Sequence, residues 1–262
     1  MTQEFLHVAV FQLDLIWENP KANLAKIDEF LRKIKPETDV VFLPEMFSTG
    51  FSMNVSELAE TMDGETVSWM KMRSGERQIA LCGSLIVKEN GQYFNRLVFV
   101  EPSGEVQSYD KRHLFTMGNE SNHFTRGLEK LIVNYKGWRI CPLICYDLRF
   151  PVWSRNHYEY DILVYSANWP KARTEVWNTL LKARAIENQA FVVGINRVGS
   201  DGNLIAYSGN SQLIDPKGNV LSTIEDDSEG IIASQFSYPE LVKFMAEFPV
   251  LNDGDSFLLK KT

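Results

Sequence analysis

Phe5-Leu6-His7-Val8-Ala9-Val10-Phe11-Gln12-Leu13, followed by Asn19-Pro20 and then by Asp39-Val40-Val41-Phe42-Leu43, decides the architecture. The first run reads as a strand. Asn19-Pro20 introduces Lys21 to Ile34, where Leu24, Ile27, Phe30 (or Leu31) and Ile34 recur at helical spacing. Asp39 to Leu43 is a second strand, short and nearly all apolar. A β-α-β opening sets neighbouring strands side by side with a helix over one face.

The alternation continues outward from there. Glu65 to Gln78 reads as a helix. Ile79 to Val87 and Tyr93 to Val100 flank Glu89-Asn90-Gly91 as a hairpin, and Pro102-Ser103-Gly104 turns into a further strand near Glu105 to Ser108. Leu131 to Tyr135 and Trp138 to Ile144 form a second hairpin through Lys136-Gly137. Phe150 to Tyr158 reads as a short helix and Asp161 to Tyr165 as a strand. Thr174 to Asn188 is a strong helix with Val176, Leu180, Ala183 and Glu187 along one stripe. Phe191 to Asn196 is a strand. Gly209 to Ile214 and Val220 to Ile224 form a third hairpin around Asp215-Pro216-Lys217-Gly218, and Gly230 to Phe236 is a last strand. Pro239 to Thr262 holds one helix and an irregular tail. No linker, low-complexity segment or short-period repeat interrupts this order. Hairpins mixed with β-α-β units imply mixed sheets with helices packed on them. The expectation is an α/β (α+β) sandwich, one domain over residues 1–262 with a C-terminal tail from about residue 239.

Composition narrows the function. The apolar share of 44% and charged share of 23% suit a globular chain with a full-sized core. A net charge of −7 argues against nucleic acid or an anionic membrane as the main partner, since both require a basic face. No apolar stretch approaches the roughly 20 residues that span a bilayer. Met1-Thr2-Gln3-Glu4-Phe5 has neither a basic region nor a small-residue cleavage site, so a cytoplasmic location is expected. Three cysteines do not make a disulfide framework, and none has a partner pair at zinc-like spacing, so no metal is expected. With no Gly-x-Gly-x-x-Gly, Walker-type loop or Gly-x-Ser-x-Gly elbow, no bound cofactor is expected either.

Three loops carry a reactive side chain directly after a strand. Pro44-Glu45-Met46-Phe47-Ser48-Thr49-Gly50 follows the second strand. Tyr109-Asp110-Lys111-Arg112-His113-Leu114-Phe115 follows the strand near Glu105 to Ser108. Cys145-Tyr146-Asp147-Leu148-Arg149 follows Trp138 to Ile144. Strand ends on one edge of a sheet converge, which would bring Glu45, Lys111 and Cys145 into one pocket. A Cys145 thiolate attacks an sp² carbon. Glu45, if partly buried among Pro44, Met46 and Phe47, would have a raised pKa and could shuttle a proton at neutral pH. Lys111 cannot be a base while charged, but it can hold a developing oxyanion together with the backbone N–H of Tyr146. Each residue also has a plainer reading: Glu45 as a loop acid or helix cap, Lys111 as part of a solvated charged face, Cys145 as core. Cys82 and Cys141 fit the core reading better, inside apolar strands.

Leu43-Pro44-Glu45, Asp110-Lys111-Arg112-His113-Leu114-Phe115 and Ile144-Cys145-Tyr146-Asp147-Leu148-Arg149-Phe150-Pro151 resemble the carbon–nitrogen hydrolase (nitrilase) superfamily. The likeness runs on through Ser166-Ala167-Asn168-Trp169-Pro170, Arg184 to Gln189, Gly194 to Gly199 and Ser208-Gly209-Asn210-Ser211, in family order over essentially the whole chain. The resemblance implies a Glu45-Lys111-Cys145 triad, a four-layer α-β-β-α sandwich, and dimers or larger homo-oligomers. It also implies a second glutamate near the site, which Glu120 matches best, orienting Lys111 or the catalytic water. Pro44 to Phe51 and Lys111 to Met117 look like the omega-amidase branch, whose members release ammonia from 2-oxoglutaramate or 2-oxosuccinamate. Such a small anionic amide would need a basic partner, from Arg112, His113, Arg149 or Arg173. Arg149 has the plainer alternative of pairing with Asp147 or a helix end. Phe47, Met117, Asn168 and Trp169 would wall the pocket. A nitrilase, an N-carbamoyl amino acid hydrolase or another aliphatic amidase would use the same triad, and a silent scaffold is the non-enzymatic alternative.

Overall fold

The first strand, β1 (Phe5–Gln12), sends alternate side chains into two different cores. Leu6, Val8 and Val10 enter one, Ala9 and Phe11 the other. Such a strand is buried on both faces, which is why its sequence is nearly continuous in apolar residues. The computed structural model describes residues 2–259.

After β1 come α1 (Pro20–Leu31), β2 (Val40–Phe42), the single turn α2 (Val55–Leu58), α3 (Glu65–Arg77), β3 (Ala80–Glu89), β4 (Gln92–Val100) and β5 (Val106–Asp110). The second half contains β6 (Val133–Tyr135), β7 (Trp138–Ile144), α4 (Pro151–Ser154), β8 (Ile162–Ala167), α5 (Thr174–Asn188) and β9 (Phe191–Asn196). It continues with β10 (Val198–Ser200), β11 (Ala206–Ser208), β12 (Gln212–Ile214), β13 (Val220–Thr223), β14 (Gly230–Ser237) and α6 (Tyr238–Glu247).

Two six-stranded sheets result, ordered β14-β1-β2-β3-β4-β5 and β13-β12-β9-β8-β7-β6. Each is mixed. β1, β2 and β3 run parallel in the first, and β7, β8 and β9 in the second; the remaining pairs are antiparallel. The inner faces pack together through Val8, Val40, Phe42 and Phe99 against Ile140, Ile144 and Val164. Leu24, Ile27 and Phe30 of α1, with Val67 and Met70 of α3, cover the outer face of the first sheet. α5 lies on β9 and β12. The layers are therefore helix, sheet, sheet, helix, the mixed α/β sandwich expected.

Local chemistry explains the joints. Asn19 Oδ1 accepts the Ala22 N–H at 3.1 Å and starts α1, with Pro20 as its first residue. Asn90 (φ 50°) and Gly91 (φ 77°) are both left-handed, the two-residue turn that suits a hairpin's twist. At Gly194, a Cβ would lie 2.5 Å from Leu181 Cδ1, so glycine is what lets α5 approach β9.

Three expectations are corrected. The Phe150 to Tyr158 helix stops after Ser154, because Asn156 Oδ1 accepts the Glu159 N–H at 2.9 Å and closes a turn there. The strand expected from Gly209 begins only at Gln212, since Gly209 and Asn210 both have positive φ. The buried stripe of α5 is Trp177, Leu181, Arg184, Ala185 and Asn188, one residue on from the stripe expected, because Trp177 and Leu181 press on Gly194. The β10–β11 ribbon was not anticipated. Among the described residues no helix is long and apolar enough to cross a membrane.

Candidate active site

Glu45, Lys111 and Cys145 each follow the C-terminal end of a strand, but not of one sheet. Glu45 and Lys111 follow β2 and β5 in the first sheet; Cys145 follows β7 in the second. The expectation of a single sheet edge is corrected: the three meet because the two sheets face each other. Past β2, Leu43 N–H still bonds Cys82 O at 2.8 Å, and Met46 (φ 46°) turns the chain, its N–H held by Ser84 Oγ at 2.8 Å. Past β5, Lys111 N–H bonds Asn95 O at 3.0 Å. Past β7, Cys145 takes φ 42° and opens a short 3₁₀ turn, Cys145–Arg149. A left-handed cysteine costs about 1 kcal/mol, a strain typical of a turn that aims one side chain.

The charges are fully enclosed. Glu45, Lys111 and Glu120 are each 0% exposed. Lys111 Nζ lies 2.8 Å from Glu45 Oε1, and 3.0 and 2.8 Å from Glu120 Oε1 and Oε2. Glu45 Oε2 accepts the Asn168 N–H at 2.9 Å, and Glu120 Oε2 accepts the Phe115 N–H at 2.6 Å. Burial pulls the Lys111 pKa down, but Glu120 and Glu45 outweigh it and the net shift is upward, so the ammonium stays charged. Burial, then the charge of Glu45, pushes the Cys145 thiol well up against the pull of Lys111. A neutral thiol beside a carboxylate, with an ammonium that only donates, is equipped for acyl transfer in which the carboxylate takes the thiol proton.

A cavity of about 620 Å³ opens in front of this cluster. Its wall includes Lys111, Cys145, Tyr146, Asn168 and Trp169. Met117, Arg149 and Arg173 line it too. The Arg149 guanidinium lies 5.3 Å from the Trp169 ring centre, and that of Arg173 5.3 Å from Phe115. Neither guanidinium has a carboxylate partner among the described residues. Arg149 does not pair with Asp147, which is taken up by Tyr109, His113 and Ile144, although it stands in the last turn of the short helix Cys145–Arg149.

Three expected pocket residues lie elsewhere. Phe47 is buried behind Glu45, against Gly83 and 6.4 Å from the Trp69 ring. Arg112 turns away to Gly127 O at 3.2 Å and stacks over Trp153. His113 Nδ1 is 2.7 Å from Asp147 Oδ1, with its ring stacked on Phe150 at 3.8 Å. Residues the sequence reading passed over are present instead: Phe51, Phe115, Asp201 and Tyr207 line the cavity, and Asn95 touches both glutamates. The signal for Asn95 was an asparagine inside an apolar strand, where the type is depleted. The Asp201 carboxylate is taken up by Asn203 N, Ile205 N and Tyr207 OH. Among the described residues, no group of three or more His, Cys, Asp or Glu side chains is placed to hold a metal ion.

Residues 7–242 match the family model described as carbon-nitrogen hydrolase. The chain is 43% identical over 256 residues to omega-amidase YafV of Yersinia enterocolitica, covering 97% of this chain and 98% of that one. It is 33% identical over 251 residues to 2-oxoglutaramate amidase of Bacillus subtilis, covering 94% and 96%. A solved CN-hydrolase superfamily protein from Xanthomonas campestris superposes with a TM-score of 0.96 at 40% identity, covering 98% of this chain and all of that one.

Proposed function

Because this chain belongs to the carbon–nitrogen hydrolase family, and is a hydrolase acting on carbon–nitrogen bonds, we propose that it is an omega-amidase. Its substrate is the terminal amide of a small 2-oxo dicarboxylic acid, 2-oxoglutaramate or 2-oxosuccinamate. The observation that carries this reading is one cavity holding both the Cys145 thiol, backed by Glu45 and Lys111, and two guanidiniums with no carboxylate of their own. A neutral amide or nitrile has no use for the two cations; a substrate carboxylate pairs with them.

Glu45 takes the thiol proton as Cys145 Sγ bonds to the amide carbon. Lys111 Nζ and the Tyr146 N–H stabilise the oxyanion that forms. Amides in the first turn of a helix have no partner within it, which leaves the Tyr146 N–H available. Glu45 then gives the proton to the departing nitrogen, and ammonia leaves a thioester. Water attacks that thioester while Glu45 takes its proton. The C–S bond breaks, the free acid departs and the thiol is restored. Glu120 fixes Lys111 throughout. The same reading takes residues 1–262 as one catalytic domain acting in the cytoplasm, where a reducing milieu keeps Cys145 free. It also takes the working form as a homodimer or larger, supported by the exposed apolar side chains of Ile186, Val242 and Phe248.

The test is ammonia release from 2-oxoglutaramate, glutamine, a simple nitrile and an N-carbamoyl amino acid at equal concentration. The highest kcat/KM is expected with 2-oxoglutaramate. Preference for the nitrile or the carbamoyl compound would overturn the substrate assignment.

A further inference from the structure

Asn95 lies in β4, fully buried, with Leu97, Val98 and Phe99 following it. Its Nδ2 is 2.8 Å from Glu45 Oε1 and 3.0 Å from Glu120 Oε1. Both neighbours are acceptors, so the atom facing them has to be the amide nitrogen, and each of its two hydrogens serves one carboxylate. Lys111 Nζ bridges the same two carboxylates. The side-chain oxygen of Asn95, Oδ1, by contrast, has no hydrogen-bond partner. A buried, half-satisfied amide in an apolar strand is costly, and such violations concentrate where function requires them.

The charge balance shows what the amide supplies. Two enclosed carboxylates and one ammonium leave an excess negative charge that burial disfavours. Lys111 cannot neutralise both. A neutral donor stabilises each carboxylate as an acceptor without adding a charge that would compete for the base. Burial pushes Glu120 up, while Lys111 and the Asn95 amide pull it the other way. The titratable groups facing Glu45 are Lys111 beyond β5, Glu120 in the 3₁₀ turn Glu120–Asn122, Cys145 beyond β7 and Tyr207 on β11.

We propose that Asn95 is a positioning residue, which holds Glu45 and Glu120 about Lys111 and keeps Glu45 an ionised acceptor poised to take the Cys145 proton. This rests on the reading of Glu45 as the base. Hydrogen bonds to a carboxylate favour its charged form, so the acid limb of the activity profile reports the loss of this one.

The experiment compares pH profiles of kcat/KM for 2-oxoglutaramate hydrolysis in the wild type, Asn95→Leu, Asn95→Asp and Glu45→Gln, with circular dichroism for folding. Asn95→Leu is expected to lower kcat by about 10-fold to 100-fold with KM little changed. Its acid limb should move to higher pH. Asn95→Asp keeps the shape and donates only when protonated, so its activity relative to wild type should rise as the pH falls. It decides the matter if Asn95→Leu does not fold. An acid limb unmoved in Asn95→Leu, or a pH-independent activity ratio in Asn95→Asp, overturns the proposal. Glu45→Gln separates the two levels: wild-type turnover there overturns the base reading itself, whereas a dead Glu45→Gln beside unmoved Asn95 profiles overturns the Asn95 proposal alone.

Discussion

Tyr109 donates its phenolic hydrogen to Asp147 Oδ2 at 2.8 Å, tying the strand that leads to Lys111 to the turn that begins with Cys145. The Asp147 carboxylate, 0% exposed, also accepts Ile144 N–H and His113 N–H at 3.0 Å each. One acid thus fixes the residue before Cys145 and a residue two beyond Lys111, across the two sheets. Tyr109 Oη accepts in turn from Arg112 N and Trp153 Nε1. Tyr109→Phe strands those donors and is expected to cost about 2 kcal/mol of stability. Asp147→Asn puts an NH₂ among donors and should cost about 3 kcal/mol. Urea unfolding measures both; an Asp147→Asn variant as stable as wild type would refute the tie.

The three cysteines should separate by reactivity. Cys82 and Cys141 are 0% exposed, and burial pushes the Cys141 thiol up to about 12 and raises Cys82 as well. Cys145 is also raised, but it alone of the three lines the cavity, with Glu45 beside it to take its proton. Iodoacetamide is expected to modify Cys145 about 100-fold faster than the other two, read by mass spectrometry. Cys145→Ala should lose ammonia release with an unchanged circular dichroism spectrum. Equal labelling, or turnover surviving in Cys145→Ala, would remove the thiol from the chemistry.

What the sequence displayed was whatever local pattern controls. The β-α-β opening, the Asn90-Gly91 and Lys136-Gly137 hairpins and α5 were legible because caps, turns and periodicity are local. That Glu45, Lys111 and Cys145 each follow a strand was legible from the local pattern, whereas Glu120 came only through motif resemblance; their meeting depends on two sheets facing each other, which no local pattern encodes. Arg112 and His113 looked like pocket residues because they adjoin Lys111. Arg112 alternates away from Lys111 and reaches Gly127 O, and His113 lies in the bend that follows β5, where Asp147 holds it. The Asn95 contacts were invisible because they join residues fifty and twenty-five positions away.

Glu120 should leave a signature in stability against pH. Burial, the leading cause, raises its pKa above the ordinary 4.5, with the net upward despite Lys111 and Asn95. The folded state therefore binds this proton more tightly than the unfolded state does. That contribution to stability is fully present below 4.5 and is lost as the pH rises through the raised folded-state value. Glu120→Gln removes the titration. From about pH 4 upward, wild-type stability is expected to fall relative to Glu120→Gln, and to run level once the pH has passed the raised folded-state value. Urea midpoints across that range decide it, and parallel curves would contradict the raised pKa. Activity should fall in the same variant, because Lys111 loses the two-oxygen contact that orients it.

Arg149 and Arg173 should set the preference for an anionic amide. Each guanidinium lies over an aromatic wall, Trp169 or Phe115, which fixes its plane without using its N–H donors on a carboxylate. A charge-assisted hydrogen bond contributes about 1.5 to 3 kcal/mol, so replacing either arginine by methionine should cut kcat/KM for 2-oxoglutaramate by about 10-fold to 100-fold. The loss should appear mainly in KM, because the substrate carboxylate is charged in the ground state and the transition state alike. A short neutral amide lacks that carboxylate, and its kcat/KM should change little in the same variants. Lysine at either position keeps the charge but loses the planar fork, so Arg149→Lys and Arg173→Lys should fall between wild type and methionine. Equal losses for neutral and anionic amides would assign the arginines to the architecture of the cavity wall rather than to the substrate.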